Sequence, residues 1–335
     1  MSAGTVAGVT GGSLRRVVPR VEPWCVPDFR RVLQLSLAAL WLFDGVLQLQ
    51  PFMFTPAFGS RMIAPFASGN PAAVADAITW SAREMSRHSM LAGVAFAGIQ
   101  LLIAVGIAWR PTVRAALALS IAWSFGVWWI GEGFGELLHG SANVLTGAPG
   151  AVVVYALLAV LLWPLPGGQP KAEADMVAAR PLGVVPAKLI WLTFWLGLGA
   201  LCLSPANRRP QSVRQVVTAM AVGQPSWLTA VDRTVARAVA GRGDEVAIIL
   251  AVVFTMIGLG VFMPSALRRA ALVLAVVAAG FIWIVGEAFG GVFSGPATDP
   301  SSGPVLVLLV AAYWPLRPRR PASRQPAAMP ASRPA

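Results

Sequence analysis

Trp128-Trp129-Ile130-Gly131-Glu132-Gly133-Phe134-Gly135 closes one apolar run, and Trp283-Ile284-Val285-Gly286-Glu287-Ala288-Phe289-Gly290 closes another. Each places a carboxyl group inside a hydrophobic stretch, four residues after a tryptophan. Each runs on into a Gly-Xaa-Ala, Gly140-Ser141-Ala142 in the first case and Gly295-Pro296-Ala297 in the second. A carboxylate at the centre of a membrane helix costs roughly 2.5–3.5 kcal/mol on insertion scales. Two copies at one spacing therefore point to a selected feature. The two stretches predict spans over about 113–137 and 268–292.

Outward from these runs, the whole chain has the composition of a membrane protein. Of 335 residues, 56% are hydrophobic and 12% are charged, and the mean hydropathy is +0.68. A soluble globular chain carries about 25% charged residues. The net charge of +12 does not indicate nucleic acid, because the basic residues fall in short clusters between apolar runs, as the positive-inside rule requires. Lys171 and Lys188 are the lysines and the remaining basic residues are arginines, a bias that with abundant Ala, Val, Gly and Pro suggests a GC-rich bacterial genome. The 13 tryptophans suit interfacial belts. Cys25 and Cys202 are expected on opposite sides of the membrane and hence unpaired. No CxxC is present, which argues against thiol redox chemistry and zinc or iron–sulfur sites. No cleavable signal precedes residue 30, so the first span is expected to act as its own signal.

In chain order, spans are expected at about 32–50, 89–109, 113–137 and 151–164, then at 187–204, 245–263, 268–292 and 304–316. Residues 72–87 have the apolar spacing of an amphipathic helix, with Val74, Ile78 and Met85 on one side. The second half follows the order of the first. Leu40-Trp41-Leu42 and Leu49-Gln50-Pro51 correspond to Phe194-Trp195-Leu196 and Leu203-Ser204-Pro205, and Gly69-Asn70-Pro71 to Gly223-Gln224-Pro225, all 154 residues later. The two glutamates are 155 apart. A register held through polar as well as apolar segments indicates duplication. Arg110 with Arg114, and Arg268 with Arg269, occupy short turns that the positive-inside rule places in the cytoplasm. An even number of spans per half leaves the two halves in the same orientation.

The fold expected is all-α: a polytopic membrane protein of eight transmembrane helices built as two parallel four-helix repeats. Residues 1–29 form a cytoplasmic disordered arm, 30–166 the first repeat, 167–186 a cytoplasmic linker, 187–316 the second repeat and 317–335 a basic Pro-rich cytoplasmic tail. The location expected is the bacterial inner membrane, with both termini cytoplasmic.

Glu132 and Glu287 lead the candidate residues for binding a ligand or proton. Trp128 and Trp283 share their helix faces, and the Gly131/Gly135 and Gly286/Gly290 pairs allow a second helix to approach. A structural clamp between helices is the competing interpretation. Asp44 is a third intramembrane acid, and its counterpart is Leu198. Glu136 and His139, opposite Gly291 and Ser294, also lack partners in the second half, so a single site is expected in the first half. Glu136 and His139 can equally be wet residues at a helix end. Met53, Met62, Met85, His88 and Met90 could offer soft ligands to Cu(I), but methionine in such a chain usually fills space and no metal site is assigned. Thr298-Asp299-Pro300-Ser301 suits a helix start, with Asp299 or Ser301 as the cap. No phosphate loop, triad pattern or HExxH occurs.

The first two spans carry further features: Arg31 leading to an internal Gly45, then Leu91-Ala92-Gly93, Gln100-Leu101-Leu102-Ile103 and Gly106 ahead of Arg110. In these the half-chain resembles the DoxX-like four-helix membrane module. That resemblance implies a membrane component with ties to quinone or respiratory redox chemistry. It assigns no site residue, and the cofactor is left unknown. The function expected is handling of a small molecule, lipid or ion at a site using the paired glutamates, without an enzymatic activity being assigned. The alternative is a non-catalytic subunit or assembly factor of a membrane complex, and a quinone-linked redox component is the third reading. The lipid bilayer is the expected partner, together with other membrane subunits under the second reading, and no nucleic acid.

Overall fold

A computed structural model describes residues 28–165 and 175–316. The expected N-terminal arm up to residue 27, Cys25, the linker residues 166–174 and the basic tail from 317 lie outside the described residues. Every regular element is helical, with no strand among the described residues: α1 (Phe29–Leu47), α2 (Ala72–Arg87), α3 (Ser89–Ala108), α4 (Val113–Gly126), α5 (Ala151–Leu161), α6 (Ala179–Leu182), α7 (Val184–Cys202), α8 (Ser212–Met220), α9 (Ser226–Ala238), α10 (Gly243–Gly260), α11 (Ser265–Phe281) and α12 (Ser302–Tyr313).

Five continuous helical stretches are long and apolar enough to cross a membrane: Ser89–Ala108, Arg110–Gly131, Val184–Cys202, Gly243–Gly260 and Ser265–Gly286. Their outward faces are apolar, with Leu102 and Val105 on α3, Val252 and Met256 on α10, and Val273 and Val277 on α11 all exposed. A helix that is apolar on its solvent side as well as its core side belongs in lipid, and the chain is a multi-pass membrane protein. Eight spans were expected, and the other three stretches differ in kind. α1 has the length but carries Arg30, Arg31, Gln34 and Asp44. The short apolar helices α5 and α12, with 11 and 12 residues, rise only about 16–18 Å against a hydrocarbon core of about 30 Å. Each is preceded by a long stretch, 132–150 or 287–301, with no regular α-helix.

Close helix pairing rests on glycine. A Cβ on Gly45 of α1 would sit 2.8 Å from Leu101 Cγ of α3, and one on Gly199 of α7 would sit 3.2 Å from the Ala251 carbonyl of α10. Small residues let apolar helices approach where lipid offers no hydrophobic drive. α4 packs on α5 and α11 on α12, while α5 and α12 meet at the centre. Leu158 and Ala159 of α5 share one buried cluster with Val305, Leu309 and Val310 of α12, so the two halves are built on a common core.

The described part of the expected linker packs into that core. Met176, Val177 and Ala178 are fully buried, and the Ala178 N–H donates to the Ala312 carbonyl at 2.9 Å. Arg268 donates to Asp175, and Arg180 donates at 2.6 Å to Asp28, the residue that caps α1 through the Arg30 N–H. Burial pushes the Asp28 carboxyl upward, but the hydrogen bond and charge of Arg180, with help from Arg30, hold it below the usual carboxylate range. α2 buries Ile78 of the expected apolar face, together with Ser81 and Ala82, while Val74 and Met85 are half-buried. α8 and α9 fill the corresponding segment of the second half.

Candidate functional site: an acidic cavity in the first half

Both copies of the Trp-containing motif build the same local device. At the end of α4 the backbone widens by one residue, and the Glu132 N–H donates five residues back to the Val127 carbonyl at 3.0 Å. At the end of α11 the Glu287 N–H reaches the Ile282 carbonyl at 2.9 Å. Such π-turns insert an extra residue into a helix and often occur at functional sites. The chain then turns left-handed. Gly133, Phe134, Gly135 and Glu136 have φ between 53° and 61°, and Ala288, Phe289, Gly290 and Gly291 between 46° and 71°. Left-handed backbone costs a non-glycine residue about 1–2 kcal/mol, so each run must be held by its surroundings. Trp128 Nε1 donates to the Pro149 carbonyl at 2.6 Å, and Trp283 Nε1 to the Pro300 carbonyl at 2.7 Å. Each indole also meets the edge of the phenylalanine in the turn, Phe134 at 4.9 Å or Phe289 at 4.8 Å.

The two carboxyl groups then meet different ends. Glu287 is buried against the start of α12, where the Ser302 N–H donates to its two oxygens at 3.1 and 3.3 Å. A carboxylate at a helix N-terminus satisfies an otherwise orphaned N–H and faces the positive end of the helix dipole. Glu132 lies against the start of α5, close enough that a Cβ on Gly150 would collide with its Oε2. That oxygen is enclosed and has no hydrogen-bond partner among the described residues.

Glu132 opens instead on a cavity of about 470 Å³. Part of its lining is polar, with Asp44 and Gln48 from α1, Gln100 from α3, Tyr155 from α5, and Glu136. Part is aromatic, with Phe58 and Phe66 from the segment between α1 and α2, Phe96 from α3 and Trp123 from α4. Asp299 enters from the second half. It is held by the Ser301 N–H and the Thr298 hydroxyl, both at 2.7 Å. Asp44 Oδ1, Gln48 Oε1, Gln100 Oε1, Trp123 Nε1 and Tyr155 Oη share the condition of Glu132 Oε2: enclosed, with no hydrogen-bond partner among the described residues. An unpaired polar group in an apolar interior costs about 1–3 kcal/mol. Six around one cavity are a large local deficit. Among the described residues, no lysine, arginine or histidine lines the cavity.

The structure therefore gathers three of the seven candidate residues, Asp44, Glu132 and Glu136, around one space. His139 stands behind them. The Ser141 hydroxyl donates to Glu136 Oε2 at 3.1 Å and lies 2.9 Å from His139 Nδ1. One hydroxyl has one proton, so with Glu136 accepting it, Nδ1–H donates to Oγ. The result is a hydrogen-bonded chain from the ring, through the hydroxyl, to a cavity carboxyl. Glu287, Trp128 and Trp283 do not line the cavity, and their polar atoms are bonded within the protein. Asp299, Tyr155, Gln48 and Gln100 were not expected in the site. Gln100 and Tyr155 carry a signal that could have found them, since each is a polar group inside an apolar run. Asp299 carries none, because its motif reads as a helix cap; in the structure neither Asp299 nor Ser301 caps α12 through its side chain, and Asp299 accepts from the Ser301 N–H instead.

Of the methionines considered for soft metal binding, Met53 and Met85 pack in an apolar cluster with Phe58 and Ile78, and Met90 is exposed. No group of three or more His, Cys, Asp or Glu is placed to hold a metal ion among the described residues. The chain matches no protein-family model, no curated protein and no solved structure.

Proposed function

We propose that this chain is a multi-pass protein of the bacterial inner membrane that handles a small molecule or ion at the Glu132 cavity. The observation that carries this is the Glu132 carboxyl group, left without a hydrogen-bond partner beside a 470 Å³ space while its counterpart Glu287 is fully engaged. A purely structural glutamate would be bonded, as Glu287 is. In this reading the chain is two four-helix repeats in one orientation, each half like the DoxX-like module, with Arg30, Arg31, Arg110, Arg114, Arg268 and Arg269 on the cytoplasmic side. α5 and α12 cross only part of the membrane, and the left-handed turns complete the depth. Non-helical backbone at that depth is tolerated where protein buries it or where it lines a cavity. The Asp44 end of α1 and the cavity then lie toward the outer face.

The test compares small molecules extracted from the full-length protein purified in mild detergent with those from Glu132→Gln and Asp44→Asn. The expected result is a species detected by mass spectrometry in the wild type and depleted in both variants at equal yield of folded protein. Identical extracts from all three would sink the reading.

A further inference from the structure

We propose that the occupant of the cavity is an organic cation: an ammonium-type group carried on an apolar body. This rests on the reading of the Glu132 cavity as a ligand site and adds the chemical class. Two independent features support it. The first is charge and hydrogen-bond polarity. Asp44, Glu132, Glu136 and Asp299 line one space that, among the described residues, no basic side chain enters. Among the unpartnered atoms on its wall, four are oxygens that accept: Asp44 Oδ1, Gln48 Oε1, Gln100 Oε1 and Glu132 Oε2. Asp44, Gln48 and Gln100 are 2%, 2% and 6% exposed, so bulk solvent does not serve them. A space short of donors and of positive charge is matched by a ligand that brings both.

The second feature is the aromatic part of the lining. Phe58, Phe66, Phe96 and Trp123 present aromatic surface, and Phe96 meets Phe58 and Trp123 edge-on at 5.6 and 5.0 Å. Aromatic faces attract cations and also cover apolar groups, which is how quaternary ammonium ligands are recognised. An inorganic ion fits less well. The described residues hold no cluster of three or more acids, Cys or His close enough to chelate one, and 470 Å³ is the space of a small organic molecule. A neutral lipophilic ligand would suit the aromatic wall but would leave the acidic wall unanswered.

The test is equilibrium binding to the full-length protein in nanodiscs. The probes are benzyltrimethylammonium, its uncharged isostere 2,2-dimethylpropylbenzene, and sodium ion. Saturable binding of benzyltrimethylammonium, at least about tenfold tighter than the isostere and weakened about tenfold or more by both Glu132→Gln and Asp44→Asn, is the expected result. Asp44→Asn keeps shape and so separates loss of charge from loss of fold. Equal or tighter binding of the uncharged isostere overturns the cation assignment in favour of an apolar ligand. Binding of sodium alone overturns it in favour of an inorganic ion. Saturable binding of no probe also overturns it. In each of these cases the depletion of extracted molecules in Glu132→Gln decides whether the cavity itself stands as a ligand site.

Discussion

The two halves of this protein share a backbone device and differ in what it encloses. Both have the π-turn, the left-handed run, and the indole bonded to a proline carbonyl. Around the first copy stand Asp44, Gln48, Gln100, Ser120 and Ser124. At the corresponding offsets in the second half stand Leu198, Cys202, Phe254, Ala275 and Ala279, and the leucine, cysteine and phenylalanine are packed into the apolar core. Trp41 Nε1 bonds to the Ser120 hydroxyl at 3.1 Å, whereas Trp195 Nε1 has no partner, because Ala275 offers no oxygen. Backbone strain is often taken as a mark of function. Here the strained turn occurs in both halves, so it belongs to the scaffold. Unsatisfied polar atoms occur in the second half as well, at Trp195, Gln224 and Asp232; what marks the site is that six of them belong to residues lining one cavity.

The largest test of this contrast exchanges the two environments. Leu198→Asp puts an unpaired carboxyl group into packed apolar surroundings, which costs several kcal/mol and is expected to abolish recovery of folded protein. Asp44→Leu removes an unpartnered carboxyl and fills space, and is expected to leave stability in detergent unchanged or to raise it by about 1 kcal/mol. A severe loss in Asp44→Leu would mean that the first-half cavity is structural.

A smaller effect probes what the halves share. A side chain at Gly135 would meet the Pro149 backbone, and one at Gly290 the backbone of Asp299 and Pro300 at 2.7–2.8 Å, both at positive φ. Gly135→Ala and Gly290→Ala should each destabilise by about 2–4 kcal/mol, read as a fall in unfolding temperature. If only one of the two is sensitive, the scaffold is not common to both halves. Trp128→Phe and Trp283→Phe keep the aromatic edge contact and lose one hydrogen bond each, so each should cost about 1 kcal/mol by the same measurement.

The smallest effect concerns the seam between the halves. The Asp28 carboxyl is held below its ordinary range by Arg180. Its contribution is therefore complete above the unfolded carboxylate pKa and is lost as pH falls through the lower folded value. The pair is half-exposed on the aspartate side, and solvent screening limits it to about 0.5 kcal/mol. Thermal unfolding of Arg180→Gln should differ from wild type by that amount near neutral pH and converge with it in acid.

Much of the architecture is legible in single residues. The apolar runs around Leu101, Trp191 and Val252 mark helices whatever their partners, because lipid imposes the same apolar requirement along the whole run. The Gly69-Asn70-Pro71 turn and the spacing of Val74, Ile78 and Met85 set α2 in the same local way, although of these three only Ile78 is fully buried. The lengths of α5 and α12 were harder to read. Trp163-Pro164 and Trp314-Pro315 mark where these helices end, but their starts depend on where the left-handed runs release the chain. The candidate site is legible only in part. Asp44, Glu132 and Glu136 stand out as acids in or beside apolar sequence, yet nothing near Glu287 reveals that the Ser302 N–H engages it.

By itself, the sequence determined the helical membrane class and the position of the long helices, which follow from local hydropathy and spacing. The tertiary structure alone decided that one glutamate caps α12 while the other faces a cavity, and that Asp299 crosses from one half to complete the acidic wall of the other. Whether a polar group is satisfied depends on atoms far away in the chain. A side chain's identity fixes its need for a partner, and only the packing settles whether that need is met.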